Sequence, residues 1–268
     1  MIINDTALVY KRAELSAELR DDKYEIELDL SHKKIGIGLS GGMDSSILLW
    51  LLAHHISKNE LDVTIYIWTC IHEEKPGQSV HAKKVVEFVK AEFPNVKFGE
   101  HMLMPTTAKD YIANGTKLSY ELVRKYGITA LYNGVTLNPP NEIGEAVWKH
   151  KWETRALSRN WETRQKWIDQ NPVHNADPFH TEYRPFIHAD KRVVLAFYKK
   201  YGLYVSLGSL TRSCEGFIEM TNYFTETCKE CWWCIEKEWA TADIFNYEPK
   251  VMLDKWVAFT GDDNDNSN

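Results

Sequence analysis

Ile35-Gly36-Ile37-Gly38-Leu39-Ser40-Gly41-Gly42-Met43-Asp44-Ser45-Ser46-Ile47-Leu48-Leu49-Trp50 changes its periodicity twice. Lys33 to Leu39 is a short apolar run with interspersed small residues, which suits a buried strand. Ser40 to Asp44 predicts a turn, because paired glycines accept backbone angles that other residues resist. From Ser45 onward Ile47, Leu48, Leu51 and Leu52 follow helical spacing, and Asp44 or Ser45 is placed to cap the helix start. Strand, glycine turn and helix N-terminus make an anion site: the first helix amides lack internal partners, and the helix dipole is positive there. The common phosphate loop needs four residues between its glycines and a Lys before Ser/Thr; here Gly41 and Gly42 are adjacent and no Lys follows.

Outward from this stretch the chain alternates. Val63 to Thr69 reads as a second strand, rich in β-branched and aromatic residues. Gln78 to Glu92 has helical spacing, Val96 to His101 is a weaker third strand, and Thr106 to Tyr126 is helical with a break near Gly115. Ile128 to Val135 is a fourth strand. The expected architecture is α/β: a doubly wound parallel sheet over 33–205, preceded by an extension (1–32) in which Tyr24 to Leu30 alternates like an edge strand. Ligands of such sheets sit at the carboxyl ends of the strands, so Thr69 and Gly134 are expected to line the same crevice as the glycine turn. Residues 136–180 are irregular and are expected to form an insert or lid; Trp-Glu-Thr-Arg occurs in it twice, at Trp152–Arg155 and Trp161–Arg164, and 171–180 reads as a loop. A fifth unit follows, from Arg184-Pro185-Phe186-Ile187 through a helix that begins near Lys191 and stops at Gly202.

Cys214, Cys228, Cys231 and Cys234 are spaced C-x13-C-x2-C-x2-C, and 206–255 is expected to form a small metal-binding subdomain. Two residues between thiolates let both reach one ion from a tight turn, and four thiolates complete a tetrahedral structural Zn²⁺ site with no position for water. An iron–sulfur cluster and unligated core cysteines are the alternatives. Cys70 stands alone and reads as a small buried residue.

Composition bounds the rest. The chain has 268 residues, 44% of them hydrophobic, with no apolar run long enough to span a membrane. No signal peptide is visible, and five cysteines with three crowded together fit a reducing compartment, so a cytoplasmic location is expected. A net charge of −6 disfavours nucleic acid as a partner. The ten histidines are scattered and build no Ser-His-Asp or Cys-His nucleophile. The tail 261–268 is acidic and expected to be disordered.

Ser40-Gly41-Gly42-Met43-Asp44-Ser45 resembles the Ser-Gly-Gly-x-Asp-Ser signature of the PP-loop (N-type) ATP pyrophosphatases, whose fold is adenine nucleotide alpha hydrolase-like. That resemblance implies ATP and Mg²⁺, with the β,γ-pyrophosphate held by Leu39, Ser40, Gly41, Gly42, Met43, Asp44, Ser45 and Ser46, and adenosine near Thr69 and Gly134. It also implies that Lys191 can approach the phosphates, and that Ser40, Asp44, Ser45 and Lys191 serve the chemistry. Asp44 either orients the loop or helps hold the ion. Within the superfamily, Thr211-Arg212-Ser213-Cys214 and Cys228-Lys229-Glu230-Cys231-Trp232-Trp233-Cys234 are similar to the zinc-containing 7-cyano-7-deazaguanine synthases of the queuosine pathway. The implied reaction is a carbon–nitrogen ligation: a deazapurine-like carboxylate is adenylated, pyrophosphate leaves, and ammonia displaces AMP. The pattern departs in its thirteen-residue first gap, in Glu230 where the family has Gly, and in Leu137-Asn138-Pro139-Pro140 where the family has a Tyr-Pro-Asp-Cys-Arg-type segment. Other expectations left open are a tRNA-modifying or sulfur-inserting PP-loop enzyme, a PP-loop enzyme activating another substrate, and a non-catalytic ATP-binding regulator. A homodimer is compatible with all of them.

Overall fold

The computed structural model describes residues 1–13, 16–73, 77–107, 111–137, 139, 171–177, 179–214, 221–222, 225–229 and 231–245. Most of the 136–180 insert, both Trp-Glu-Thr-Arg copies and the 261–268 tail lie outside the described residues. In chain order the elements are β1 (Ile2–Ala13), β2 (Ser16–Asp29), β3 (Lys34–Gly38), α1 (Met43–Lys58), β4 (Thr64–His72), α2 (Gly77–Glu92) and β5 (Lys97–Thr106). They continue as α3 (Tyr111–Tyr126), β6 (Ala130–Tyr132), β7 (Val173–Asp177), β8 (His180–Tyr183), α4 (Lys191–Lys200), α5 (Leu207–Leu210) and α6 (Trp232–Phe245).

The main sheet has the order β5-β4-β3-β6-β8-β7, with five parallel strands and β7 antiparallel at the edge. From β3 the chain builds outward through β4 and β5, then returns to lay β6 and β8 on the other flank of β3. The strand order therefore reverses between β3 and β6, the place where open α/β sheets leave a crevice beyond their strand ends. Gly36 and Gly38 keep β3 slim. A Cβ on Gly36 would stand 2.8 Å from Leu131 and 3.1 Å from the Trp68 ring, so this central strand accepts a large aromatic neighbour only because it lacks side chains there.

Both faces are covered. On one, α1, α2 and α4 pack into the main core through Leu48, Leu51, Leu52, Val85, Val89, Val194 and Phe197. On the other, Leu118, Leu122 and Val123 of α3 pack against Ile128, Leu131 and Cys70. Trp239, Ala240 and Ile244 of α6 enter the main core, so α6 is held by the sheet domain.

Several elements differ from the expectation. The alternating stretch before Leu30 is a strand, but its partner is β1, in a separate two-stranded antiparallel sheet. Ala7, Val9, Ile26 and Leu28 of this hairpin are buried in the main core. Strand β5 runs on to Thr106, and α3 continues through Gly115 without a break. A Cβ at Gly115 would sit 3.4 Å from Cys70 Sγ, so the glycine lets the helix approach the sheet closely. The stretch expected as a loop at 171–180 contributes β7 and β8, whose few residues are too short to show a period.

Candidate functional site

The glycine turn leaves β3 at the reversal point and enters α1. Gly41 has φ +76°, a left-handed conformation that favours glycine, and a Cβ there would lie 2.7 Å from the Gln78 carbonyl oxygen and 2.8 Å from the Ala82 amide nitrogen of α2. Gly42 is the N-cap of α1 and offers no side chain, so neither Asp44 nor Ser45 caps the helix as expected. The hydroxyls fold the turn on itself instead. Ser45 Oγ accepts from the Ser40 amide at 3.2 Å and stands 3.2 Å from Ser40 Oγ, which in turn accepts from the Gly42 amide at 3.3 Å. Ser46 Oγ donates to the Gly42 carbonyl at 2.6 Å and is spent within the helix. Met43 is an anchor: its side chain is fully buried and its carbonyl accepts from Tyr198 OH at 3.1 Å.

The remaining sequence-predicted residues converge here. Thr69, within β4 and beyond the point where β3 ends beside it, is buried and donates to the Leu39 carbonyl at 2.6 Å while lying 2.9 Å from His101 Nε2. Gly134, beyond β6, touches the start of α1: a Cβ there would stand 2.8 Å from the Ser45 amide nitrogen and 3.0 Å from the Asp44 carbonyl carbon. Lys191 is completely buried, contrary to what a lysine in a helix first turn usually does, and Nζ donates to both Asp44 carboxylate oxygens at 2.6 and 2.5 Å. A second carboxylate, Glu236 of α6, lies 3.9 Å from the same Nζ. Neighbouring Lys237 has its pKa lowered, first by burial and then by Lys191. The turn is thus backed by alternating buried charges, with Asp44 at the solvent side.

Arg212 and Ser213, which the sequence marks only as neighbours of Cys214, complete the turn. Arg212 donates its backbone amide to the Gly41 carbonyl at 2.7 Å, and Ser213 Oγ accepts from the Met43 amide at 3.3 Å. They lie about 170 positions downstream of the turn, and no local pattern announces that closure.

The four cysteines gather beside this segment. Their sulfurs all lie within 4.8 Å of one another, with Cys214–Cys228 at 3.5 Å and Cys228–Cys234 at 3.9 Å. A single tetrahedral ion with metal–sulfur bonds of about 2.3 Å sets its sulfurs about 3.8 Å apart, so the donor set fits one thiolate-bound cation. In a four-iron cluster each thiolate binds its own iron, which demands wider spacing. Backbone amides support the ligands: Cys228 N donates to Cys214 Sγ at 3.3 Å, and Cys231 N to Cys228 Sγ at 3.2 Å. Hydrogen bonding with Cys214, helped by burial, pushes the Cys231 and Cys234 thiols up, the latter to about 12. Bringing four thiolates together therefore calls for a cation to neutralise them. Cys70 is apart, buried against α3, and burial raises its pKa, which leaves it inert. A shallow depression lined by Ile56, Leu61, Asn95 and Lys97 lies at the far end of α1, about 20 Å from the turn at a rise of 1.5 Å per residue.

Fold and site together define a doubly wound α/β protein with a hydroxyl-rich glycine turn at its strand-order reversal and a four-thiol centre next to that turn. No family model matches the chain, and no curated protein matches it. Among solved structures it is similar to the U34-tRNA thiolase NcsA from Methanococcus maripaludis with its [4Fe-4S] cluster, at 14% identity over 85% of this chain and 70% of that one, with a TM-score of 0.39. It is also similar to NAD+ synthetase from Burkholderia pseudomallei, at 11% identity over 86% of this chain and 81% of that one, with a TM-score of 0.29. Among the described residues no helix is long and apolar enough to cross a membrane.

Proposed function

We propose that this chain is an ATP-dependent, adenylating carbon–nitrogen ligase of the 7-cyano-7-deazaguanine synthase type, acting on a carboxylate-bearing deazapurine and ammonia. The observation that carries this reading is the turn itself: a Ser-Gly-Gly-Met-Asp-Ser sequence that sits between a central parallel strand and a helix N-terminus, at the strand-order reversal. The spacing of the thiols adds a site suited to one zinc ion rather than a cluster.

In this reading a substrate carboxylate oxygen attacks the α-phosphorus of ATP, the bond to the bridging oxygen breaks, and pyrophosphate departs. The protein's task is to hold the charge that builds on that leaving group. Gly41 and Gly42 allow close backbone approach, and the hydroxyls of Ser40 and Ser45, which bond each other and the turn's backbone, would exchange those bonds for phosphate oxygens. Lys191 and Asp44 form a positioned ion pair, so the lysine, buried behind the carboxylate, serves the phosphates by fixing Asp44 and by its charge. Mg²⁺ bound by Asp44 and the phosphates would supply further neutralisation. Thr69 and Gly134 shape the floor below the adenosine; Thr69 is committed to Leu39 and Gly134 to contact with α1. Ammonia then displaces AMP from the adenylate, forming the carbon–nitrogen bond. No side chain need serve as covalent nucleophile.

The test is pyrophosphate release from Mg-ATP with 7-carboxy-7-deazaguanine and ammonium, beside an Asp44→Asn control that keeps the shape of the side chain. Substrate-dependent release that the variant loses is the expected result. ATP binding without stimulation by this carboxylate would overturn the substrate, and absence of ATP binding would overturn the enzyme reading.

A further inference from the structure

We infer that Ser213 is a phosphate-positioning residue whose place is set by the four-cysteine centre, so that metal occupancy controls nucleotide affinity. This rests on the nucleotide and zinc readings above.

The Met43 amide is the first N–H of α1, one of the donors that a helix leaves without an internal partner. In this structure its acceptor is Ser213 Oγ. The hydroxyl thus stands where a phosphate oxygen would accept, beside Gly42, whose Cβ position would lie 3.3 Å from Ser40 Oγ and 3.6 Å from Ser213 Oγ. When phosphate arrives, the Met43 amide can pass to a phosphate oxygen while the Ser213 hydroxyl turns and donates to the same anion. The flank is fixed by Arg212, whose amide holds the Gly41 carbonyl.

The next residue is Cys214, so Ser213 is about 3.8 Å of chain from a metal ligand. A second connection runs through α6. Its first turns carry Cys234 and Glu236, and Glu236 faces the Lys191 that holds Asp44. Both ends of the turn's support therefore hang on the thiol cluster: Ser213 through Cys214, and Asp44 through Lys191, Glu236 and α6. An ion at the four sulfurs ties Cys214 to the start of α6, and with that ion removed this tie is lost and both supports slacken.

The experiment titrates the full chain with Mg-ATP by calorimetry, first zinc-loaded, then zinc-stripped with far-ultraviolet dichroism checking the fold, then reloaded. Stripping should weaken ATP binding by about 5- to 150-fold, the usual span of coupling between sites, and reloading should restore it. By reciprocity, ATP should tighten zinc by the same factor, read from release to a chromogenic chelator. Zinc-loaded Ser213→Ala should bind ATP about tenfold more weakly, the loss expected for one hydrogen bond to a charged group, and Ser213→Thr should recover most of that. Equal ATP affinity with and without zinc in the folded chain overturns the inference, as does a Ser213→Ala that binds like wild type. If the stripped chain unfolds, the two Ser213 variants decide. A zinc-loaded wild type that binds no Mg-ATP overturns the nucleotide reading and this inference with it, and a chain that takes up no zinc does the same through the metal reading. Binding that is indifferent to zinc and to Ser213 overturns this inference alone.

Discussion

Lys191 ties the buried core to the glycine turn through one side chain. Its ammonium is wholly buried and bonded to both oxygens of Asp44, which keeps some contact with solvent. Removing one member of such a pair leaves an uncompensated charge. Lys191→Met should therefore lower unfolding free energy in urea by about 2 kcal/mol, somewhat below the range for a fully buried pair. Adding Asp44→Asn to it should recover part of the loss; strictly additive losses would show that the pair is not coupled. His101 is a second buried titratable group at the site. Burial pushes its pKa down from 6.5 to about 4, so the folded chain keeps it neutral beside Thr69. The unfolded chain takes up that proton as pH falls through about 6.5, so this contribution to stability is complete above that value and erodes as pH falls toward 4. The stability gap between wild type and His101→Gln should narrow from pH 7 to pH 4.5; a constant gap would refute the assignment. At this scale the sequence showed which residues crowd the turn, because Ser40, Asp44, Ser45 and Ser46 lie within a few positions. The partner of Lys191, the 2.9 Å approach of His101 to Thr69 and the role of Ser213 were not legible, since each spans elements whose juxtaposition only the fold creates.

Among the elements, the start of α1 is the tightest junction. Gly134 from the β6 side would place a Cβ 2.8 Å from the Ser45 amide nitrogen and 2.9 Å from its Cα, both backbone atoms that cannot swing aside. Gly134→Ala should destabilise by about 1–3 kcal/mol and weaken ATP binding, whereas an unchanged melting temperature would mean the helix start yields freely. The β1–β2 hairpin is fastened by a polar rivet. Asp5 is buried and accepts hydrogen bonds from His55 Nε2 at 2.8 Å, Tyr201 OH at 2.7 Å and Lys200. Burial alone would raise its pKa, but the bonds from His55, Lys200 and Tyr201 outweigh it and hold the carboxyl well below its ordinary value. That contribution is present above the ordinary carboxylate range and is lost only as pH falls through the lowered value, so the rivet survives mild acid. Asp5→Ala should speed amide exchange in β1 and β2 about tenfold or more, with β3 and β4 unchanged; uniform acceleration would place the loss in the whole core instead. Helices and the first two sheet strands were readable from periodicity. β7, β8 and the separate pairing of β2 were not, because four or five residues rich in Asn, Asp and His show no period, and alternation names a strand without naming its neighbour.

For the whole molecule, the α/β order was legible because each strand–helix unit of the first half repeats the same change of period, while the return of 207–214 onto the turn leaves no trace in any window of sequence. The thiol spacing makes a prediction at this scale. The purified chain should contain one zinc per molecule and show no visible iron–sulfur absorption; several irons per chain would overturn the single-ion reading. The strand-order reversal also sets a timetable for synthesis. β3, α1, β4, α2 and β5 are consecutive, so this half can condense as it leaves the ribosome. β6 and β8 must then close on the opposite flank of β3, and the anion turn that begins at Ser40 is finished only when Arg212 and Ser213 arrive. A nascent chain therefore carries the recognisable loop long before it carries a finished one, and on the proposed reading nucleotide capture would be among the last properties the protein acquires.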